Sequence, residues 1–453
     1  MENGNYKLVV ITHNQLDVLR QTVESIEGID FKDIILVDNA SNDGTDEWIL
    51  QSGYNHIIYS VQMEGYGKIL HEIMQKFVGA EDLLILQPGI MLLPNCVNNM
   101  LELLHDQEDT GAVVAKTIIY QHGEKLEESW KRAFEYSLGQ CSNTKIKETL
   151  NLHTETVLLN STLLKSIEGF GQELKLPDSV MADIAFAGVE LGYRFLQSEK
   201  ACCFYIPWGS DGYVQEFGKN VDRQYMKCKW NMNYFNKNPN RELLDLIEAE
   251  PNEEMNVLEI GCDCGVNLLY IKNKYPNAHL YGVEINPRAA EIAKHIAKIS
   301  VDNIEECNLE FEEIKFDYII MGDVLEHLHR PEAVLEYCKG LLKGEGKIVS
   351  SIPNVMHYTV MHGLINGDFT YKDTGLLDRT HIHMFTFNEI MRMFVAAEYQ
   401  VETVIPIEKD ISEESEKFVD RLLEISDEAE KFMFNAFQYH VVAKVANSCQ
   451  KED

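Results

Sequence analysis

Val257-Leu-Glu-Ile-Gly-Cys-Asp-Cys-Gly265 decides the fold of the second half of this chain. Val257-Leu-Glu-Ile260 reads as a short buried strand, and the two glycines corner a turn leading into a helix-like segment. The next strand-like run, Leu280-Tyr-Gly-Val-Glu284, ends on an isolated acid about 20 residues beyond the turn. Strand, glycine turn, helix, strand and acid together make a βαβ unit of the nucleotide-binding type. The glycines let backbone approach a ligand, and the acid accepts hydrogen bonds from ribose hydroxyls.

The alternation continues on both sides of this unit. Phe316-Asp-Tyr-Ile-Ile-Met321, Gly346-Lys-Ile-Val-Ser-Ser351 and residues 437–445 read as further strands, and the acidic stretch 408–431 as an exposed helix pair or insertion. Upstream, residues 231–251 form a seam. It holds the loop Asn236-Lys-Asn-Pro-Asn240, a short helix over 241–248 and the polar, proline-punctuated Glu250-Pro-Asn-Glu-Glu254. Before the seam, a second alternation runs through strands at Lys7-Leu-Val-Val-Ile-Thr12, Ile34-Ile-Leu-Val-Asp38, Leu83-Leu-Ile-Leu86 and Ala112-Val-Val-Ala115, with helical periodicity over 16–26. This predicts two α/β domains with largely parallel sheets: residues 1–235, a linker and entry helix over 236–254, and residues 255–453.

A length of 453 residues exceeds what one core supports, and 45% hydrophobic content is ordinary for globular domains. The net charge of -33 is not ordinary. Such a surface repels phosphate backbones and anionic lipid, which argues against nucleic-acid and membrane-surface partners. No apolar run reaches the ~18 residues of a membrane span. Met1-Glu-Asn-Gly-Asn-Tyr6 lacks the basic and apolar regions of a signal peptide, so a cytoplasmic location is expected. The ten cysteines follow no disulfide or zinc spacing and read as reduced core thiols, so no metal ligand is assigned.

The second half resembles the class I S-adenosylmethionine-dependent methyltransferases, with a Rossmann-like fold. The resemblance rests on 257–265, Glu284, Asp302-Asn-Ile-Glu305, Phe316-Asp-Tyr-Ile-Ile-Met-Gly-Asp-Val-Leu-Glu-His-Leu328 and Leu342-Lys-Gly-Glu-Gly-Lys-Ile-Val349, in that order. It implies S-adenosylmethionine as cofactor, held by Glu259, Gly261, Asp263, Gly265, Glu284, Asn303 and Asp323. Asp263 departs from the pattern, because the family usually has a glycine there. Ser351-Ile-Pro-Asn-Val355, Leu377-Asp-Arg-Thr-His381 and Phe385-Thr386 resemble a bacterial subgroup found beside genes for surface-glycan assembly. A sugar or glycan hydroxyl is therefore the expected methyl acceptor. Removing its proton suits a histidine, and His327 and His381 are the candidates, each also readable as a structural hydrogen-bonder.

The first half resembles the family 2 glycosyltransferases, of GT-A fold. Val10-Ile-Thr-His-Asn14, Ile35-Leu-Val-Asp-Asn-Ala-Ser-Asn-Asp-Gly-Thr45 and Gly65-Tyr-Gly67 carry the match. It implies a nucleotide-sugar donor near Thr12, Asn14, Asp38 and Asn39, with Asp183 as the catalytic base. Where the family has a metal-binding carboxylate, this chain has Gln87-Pro-Gly89. Three readings stay open: sugar transfer, binding of a glycan or nucleotide-sugar for the second domain, and a non-catalytic scaffold.

Overall fold

The computed structural model describes residues 5–121, 123–140, 145–167, 169–207, 212–232 and 237–446. The N-terminal residues 1–4 that bear on a targeting signal, the expected boundary at 235–236 and the last residues of the second domain lie outside the described residues. The chain divides into two compact units, Met1–Lys237 and Asn238–Asp453. Among the described residues no helix is long and apolar enough to cross a membrane. The described cysteines are free, and most are buried.

The first unit is built on strands β1 (Tyr6–Thr12), β2 (Asp33–Asn39), β3 (Asn55–Tyr59), β4 (Asp82–Leu86), β5 (Ile90–Leu92), β6 (Thr110–Ile119), β7 (Ile146–Glu148), β8 (Thr156–Leu159) and β9 (Arg194–Tyr205). Their order is β3-β2-β1-β4-β8-β6-β9-β5, with β7 on β9. The expectation of a largely parallel sheet holds for β3-β2-β1-β4 and for β6 beside β9. It fails where β8 runs antiparallel to both β4 and β6, and where β5 and β7 run antiparallel to β9. Leu83, Leu84, Ile85 and Leu86 are all buried, as are Val157, Leu158 and Leu159. Strands buried on both faces read alike whichever way their neighbours run, so composition could not reveal the reversal.

The second unit carries β10 (Asn256–Ile260), β11 (His279–Val283), β12 (Lys298–Ser300), β13 (Phe316–Gly322), β14 (Leu342–Pro353), β15 (Tyr399–Glu408) and β16 (Ala436–Val445). The order is β12-β11-β10-β13-β14-β16-β15, parallel through β14 and antiparallel for the last two pairings. Alternate side chains of β10 and β13 enter two cores. Leu258, Ile260, Ile319 and Met321 pack into one, and Val257, Tyr318 and Ile320 into the other. Both faces are therefore covered, as a doubly wound sheet requires. The chain order reverses between β10 and β13, which places the ligand crevice of such a sheet at the carboxyl ends of these two strands. The acidic stretch forms the helix Glu413–Glu424, between β15 and β16.

Candidate active site

The turn after β10 is held by its backbone. Gly261, Asp263 and Gly265 have φ of 72°, 47° and 82°, three left-handed residues in five. At Gly265 a Cβ would meet Ala293 and Ile296 at 3.1–3.4 Å, so close packing as well as φ requires glycine there. The amide of Gly261 donates to the Val283 carbonyl (2.8 Å), which ties the turn to the end of β11. One residue further, buried Glu284 accepts from the Asp263 amide (2.8 Å) and from the Asn286 amide (2.7 Å). Each carboxylate oxygen keeps accepting capacity for a further donor.

Glu259, on β10, is buried at 2% exposure. Its Oε1 accepts from Asn267 Nδ2 (2.7 Å), while Oε2 has no partner. Burial, with Asp263 and Glu284 adding repulsion, pushes its carboxyl up to about 8. Asp263 is pushed up to about 6 by burial and then by Glu284. Three carboxylates thus converge at one turn, and among the described residues their hydrogen bonds come from backbone amides, Asn267 and Cys264. Such a cluster suits a positively charged ligand carrying ribose-like hydroxyls.

Further along the same sheet edge, Asn303 follows β12 and caps the turn Ile304–Glu306 through the Glu305 amide (3.1 Å). Asp323 follows β13 with φ of 53°. Its amide donates to the Ser351 carbonyl and hydroxyl, and its Oδ1 accepts from the Ser351 hydroxyl (2.9 Å). Burial raises the Asp323 carboxyl above its usual range.

His327 and His381 stand 4.9 Å apart, ring centre to ring centre, in an edge-to-face arrangement. His327 Nδ1 lies 3.1 Å from the Thr380 carbonyl, and His381 Nδ1 lies 3.2 Å from the Leu376 carbonyl. A carbonyl only accepts, so each Nδ1 carries the proton and each Nε2 presents a lone pair. The two histidines are 54 residues apart, and backbone hydrogen bonds bring them together. The Ile382 and His383 amides both donate to the Glu326 carbonyl, at 2.8 and 3.0 Å.

In the first unit a cleft of about 810 Å³ opens at the carboxyl ends of β1, β2 and β4. Thr12, Asn14, Asn39, Tyr66, Gln87 and Asp178 are among its lining residues. Thr12 and Asp38 are register partners on adjacent strands, and both keep a buried oxygen without a partner, Thr12 Oγ1 and Asp38 Oδ1. Asn39 exchanges two hydrogen bonds with the Glu64 backbone and so braces the loop before the helix Tyr66–Phe77. Gly67 in that helix admits no side chain, because a Cβ would lie 2.1 Å from the Gly171 carbonyl oxygen. Gln87 donates to the Thr154 hydroxyl (2.7 Å), so β4 ends on an amide rather than a carboxylate.

Family models match two segments: Glycosyl transferase family 2 over residues 7–159, and Methyltransferase domain over residues 232–404. The chain carries a glycosyltransferase family 2 domain followed by a methyltransferase domain. A ubiquinone biosynthesis O-methyltransferase of Neisseria meningitidis serogroup C is 25% identical over 170 residues, covering 36% of this chain and 70% of that protein. An N-methyltransferase 4 of Papaver somniferum is 29% identical over 109 residues, covering 22% and 31%. The match thus spans about a third of the poppy protein's length. A mannosyltransferase of Pyrobaculum calidifontis, solved with GDP-mannose and Mn2+, aligns at 16% identity over 50% of this chain and 63% of its own, with a TM-score of 0.34.

The methyltransferase domain brings Glu259, Gly261, Asp263, Gly265, Glu284, Asn303 and Asp323 to the carboxyl ends of β10 to β13. The glycosyltransferase domain places Thr12, Asn14 and Asn39 on its cleft. Asp183 is a correction. It is fully buried in the helix Pro177–Glu190. Its Oδ1 is engaged by Trp230 Nε1 (2.6 Å) and Lys229 Nζ (2.8 Å), and its Oδ2 by the Gly171 amide (2.9 Å) and the Tyr225 hydroxyl (3.0 Å). A carboxylate saturated by four donors is a structural anchor for the helix Gly212–Trp230, not a base open to an acceptor. Sequence reasoning missed Glu326 and Ser351. Its only available signal for Glu326 was that this acid directly precedes His327.

Proposed function

We propose that the methyltransferase domain transfers a methyl group from S-adenosylmethionine to a hydroxyl of a sugar or glycan. The observation carrying this reading is the carboxylate cluster of Glu259, Asp263 and Glu284, with Glu259 Oε2 buried and unpartnered. That orphan acceptor fits the cationic amino group of the cofactor's methionine portion, and Glu284 fits its ribose. When bound, the cofactor supplies an electrophilic methyl group on a sulfonium. The chain's own part is to fix the cofactor and the acceptor in line, which is a positioning effect. On this reading His327 and His381, which lie together with Glu326, activate the acceptor's hydroxyl. The glycan assignment rests on resemblance in 351–386.

We infer that the glycosyltransferase domain binds a nucleotide-sugar or glycan in the cleft above β1 and β2. The unpartnered oxygens of Thr12 and Asp38 fit the donor groups of a base or ribose. With Asp183 saturated and Gln87 in place of a carboxylate, binding is favoured over sugar transfer.

The test is incubation with methyl-labelled S-adenosylmethionine and a panel of free sugars, nucleotide-sugars, glycans, amines and small phenols. Label in an alkali-stable methyl ether of a sugar is the expected result. Label only in amines or phenols would contradict the acceptor assignment.

A further inference from the structure

Among the described residues of the methyltransferase domain, Glu326 alone keeps two buried side-chain oxygens without a hydrogen-bond partner. It is 0% exposed, and neither carboxylate oxygen has a hydrogen-bond partner. Burial, with Asp323 nearby, raises its carboxyl well above the usual range. A buried polar group without a partner is retained only where something compensates it. Apart from its own backbone amide, the described residues around it supply no donor. The nearest titratable nitrogen, His327 Nε2, lies 4.0 Å from Oε1, and the tautomer derived above gives that nitrogen a lone pair rather than a proton. Three acceptors therefore face one another: Glu326, His327 and His381 each offer an atom within 4.8 Å of the other two. Among the described residues this is the only such group of three or more.

Three such groups this close need a cation between them, either a proton on Glu326 or a metal ion. We propose that Glu326, His327 and His381 form a binding site for one divalent transition-metal ion of the Mn2+, Fe2+ or Zn2+ type. The donor set, two neutral imidazoles and a carboxylate, suits these ions, and hard Mg2+ or Ca2+ less well. Bonds of about 2.1 Å at a tetrahedral ion separate ligand atoms by about 3.4 Å. The present spacing, 4.0 Å between Glu326 Oε1 and His327 Nε2 and no more than 4.8 Å across the group, has to tighten towards that on binding. The outer shell is already built, because each imidazole donates its Nδ1 proton to a backbone carbonyl, which fixes tautomer and ring orientation. The two amides of 382 and 383 on the Glu326 carbonyl lock the loop carrying His381 against the turn carrying the other two ligands. His327 and His381 are only partly buried, so the ion keeps open positions towards solvent.

This site deepens the methyl-transfer reading and rests on it for its role. An acceptor hydroxyl reaching an open position of the ion has its pKa lowered, and its proton passes to water. The two imidazoles then act as ligands, not as proton acceptors. The ion discriminates for oxygen acceptors bearing a second oxygen to chelate, as vicinal sugar hydroxyls do.

The experiment uses the full chain, stripped with chelator, and Mn2+ alone as probe, because Mn2+ avoids the thiols that attract Zn2+. Loss of the free-ion paramagnetic resonance signal gives the stoichiometry, and electron spin echo modulation reports 14N from ligating histidine. About one bound ion is expected, with 14N coupling that His381→Ala reduces, and affinity at least about tenfold weaker in Glu326→Gln and in His381→Ala. Weak binding without 14N coupling, unchanged in both variants, would mean that only surface carboxylates hold the ion, and would overturn the site. Should Glu326→Gln fail to fold, the partly exposed His381→Ala carries the test alone. S-adenosylmethionine binding is measured on the same samples. Cofactor binding without Mn2+ binding removes this inference and leaves the proposed function. Mn2+ binding without cofactor binding does the reverse.

Discussion

At the residue scale, the methyltransferase site is a set of acids kept in unfavourable surroundings. Glu259 shows the consequence most directly. Folding raises its carboxyl from an ordinary value of about 4.3 to about 8. In the ligand-free protein its contribution to stability is therefore fully present below the unfolded value and is lost as pH rises through the folded one. Thermal unfolding of the second unit should thus shift to lower temperature between about pH 4 and about pH 8, and Glu259→Gln should flatten that fall. The same substitution should weaken S-adenosylmethionine binding by about tenfold to 100-fold, because it removes an acceptor that ionises against the cofactor's ammonium group. A variant that keeps both the slope and the affinity would show that Glu259 does not meet the cofactor. The sequence made Glu259, Glu284 and Asp323 legible, because each ends or lies on a strand with a strong apolar pattern. It could not show that Asp183 is saturated, since Tyr225, Lys229 and Trp230 lie 42 to 47 residues further along. Nor could it show that Glu326 lacks partners, which depends on a loop more than 50 residues downstream.

At the element scale, the turn between β10 and the helix Val266–Lys274 combines backbone strain with close packing. Gly265→Ala should cost about 1–2 kcal/mol from the left-handed backbone, and the 3.1–3.4 Å approach to Ile296 and Ala293 adds to it. Chemical denaturation followed at the second unit would measure this. Asp263→Gly acts the other way. It relieves a left-handed φ of 47° and removes a partly buried acid facing Glu284, so the ligand-free protein should become more stable by about 1 kcal/mol. No gain would mean that the Asp263 side chain compensates its own backbone. Strands β1, β2, β4, β10, β11, β13 and β16 were legible as apolar runs with ends within one or two residues of the reading, β6 and β14 were read too short, and the interior strands β8 and β9 of the first sheet were not read. Strands β5, β7 and β12 have three residues each, too few for a period to register.

At the scale of the whole molecule, two α/β units with separate cores lie on one chain of net charge -33. Asp183 anchors the first unit only. Asp183→Ala leaves Lys229 and three further donors without their acceptor, a loss of about 3–5 kcal/mol. Calorimetry should show the transition of the first unit lowered, while S-adenosylmethionine binding to the second is unchanged. Loss of cofactor binding in that variant would contradict independent units.

The central claim is that the carboxylate-lined turn of the methyltransferase domain holds S-adenosylmethionine. Isothermal titration of the cofactor into the wild type and Glu284→Ala tests it most directly. Binding in the micromolar range, about -8 kcal/mol, that is lost or weakened by at least about tenfold in the variant is the predicted result. A folded wild type that binds no cofactor, or a variant that binds it equally well, would contradict the account.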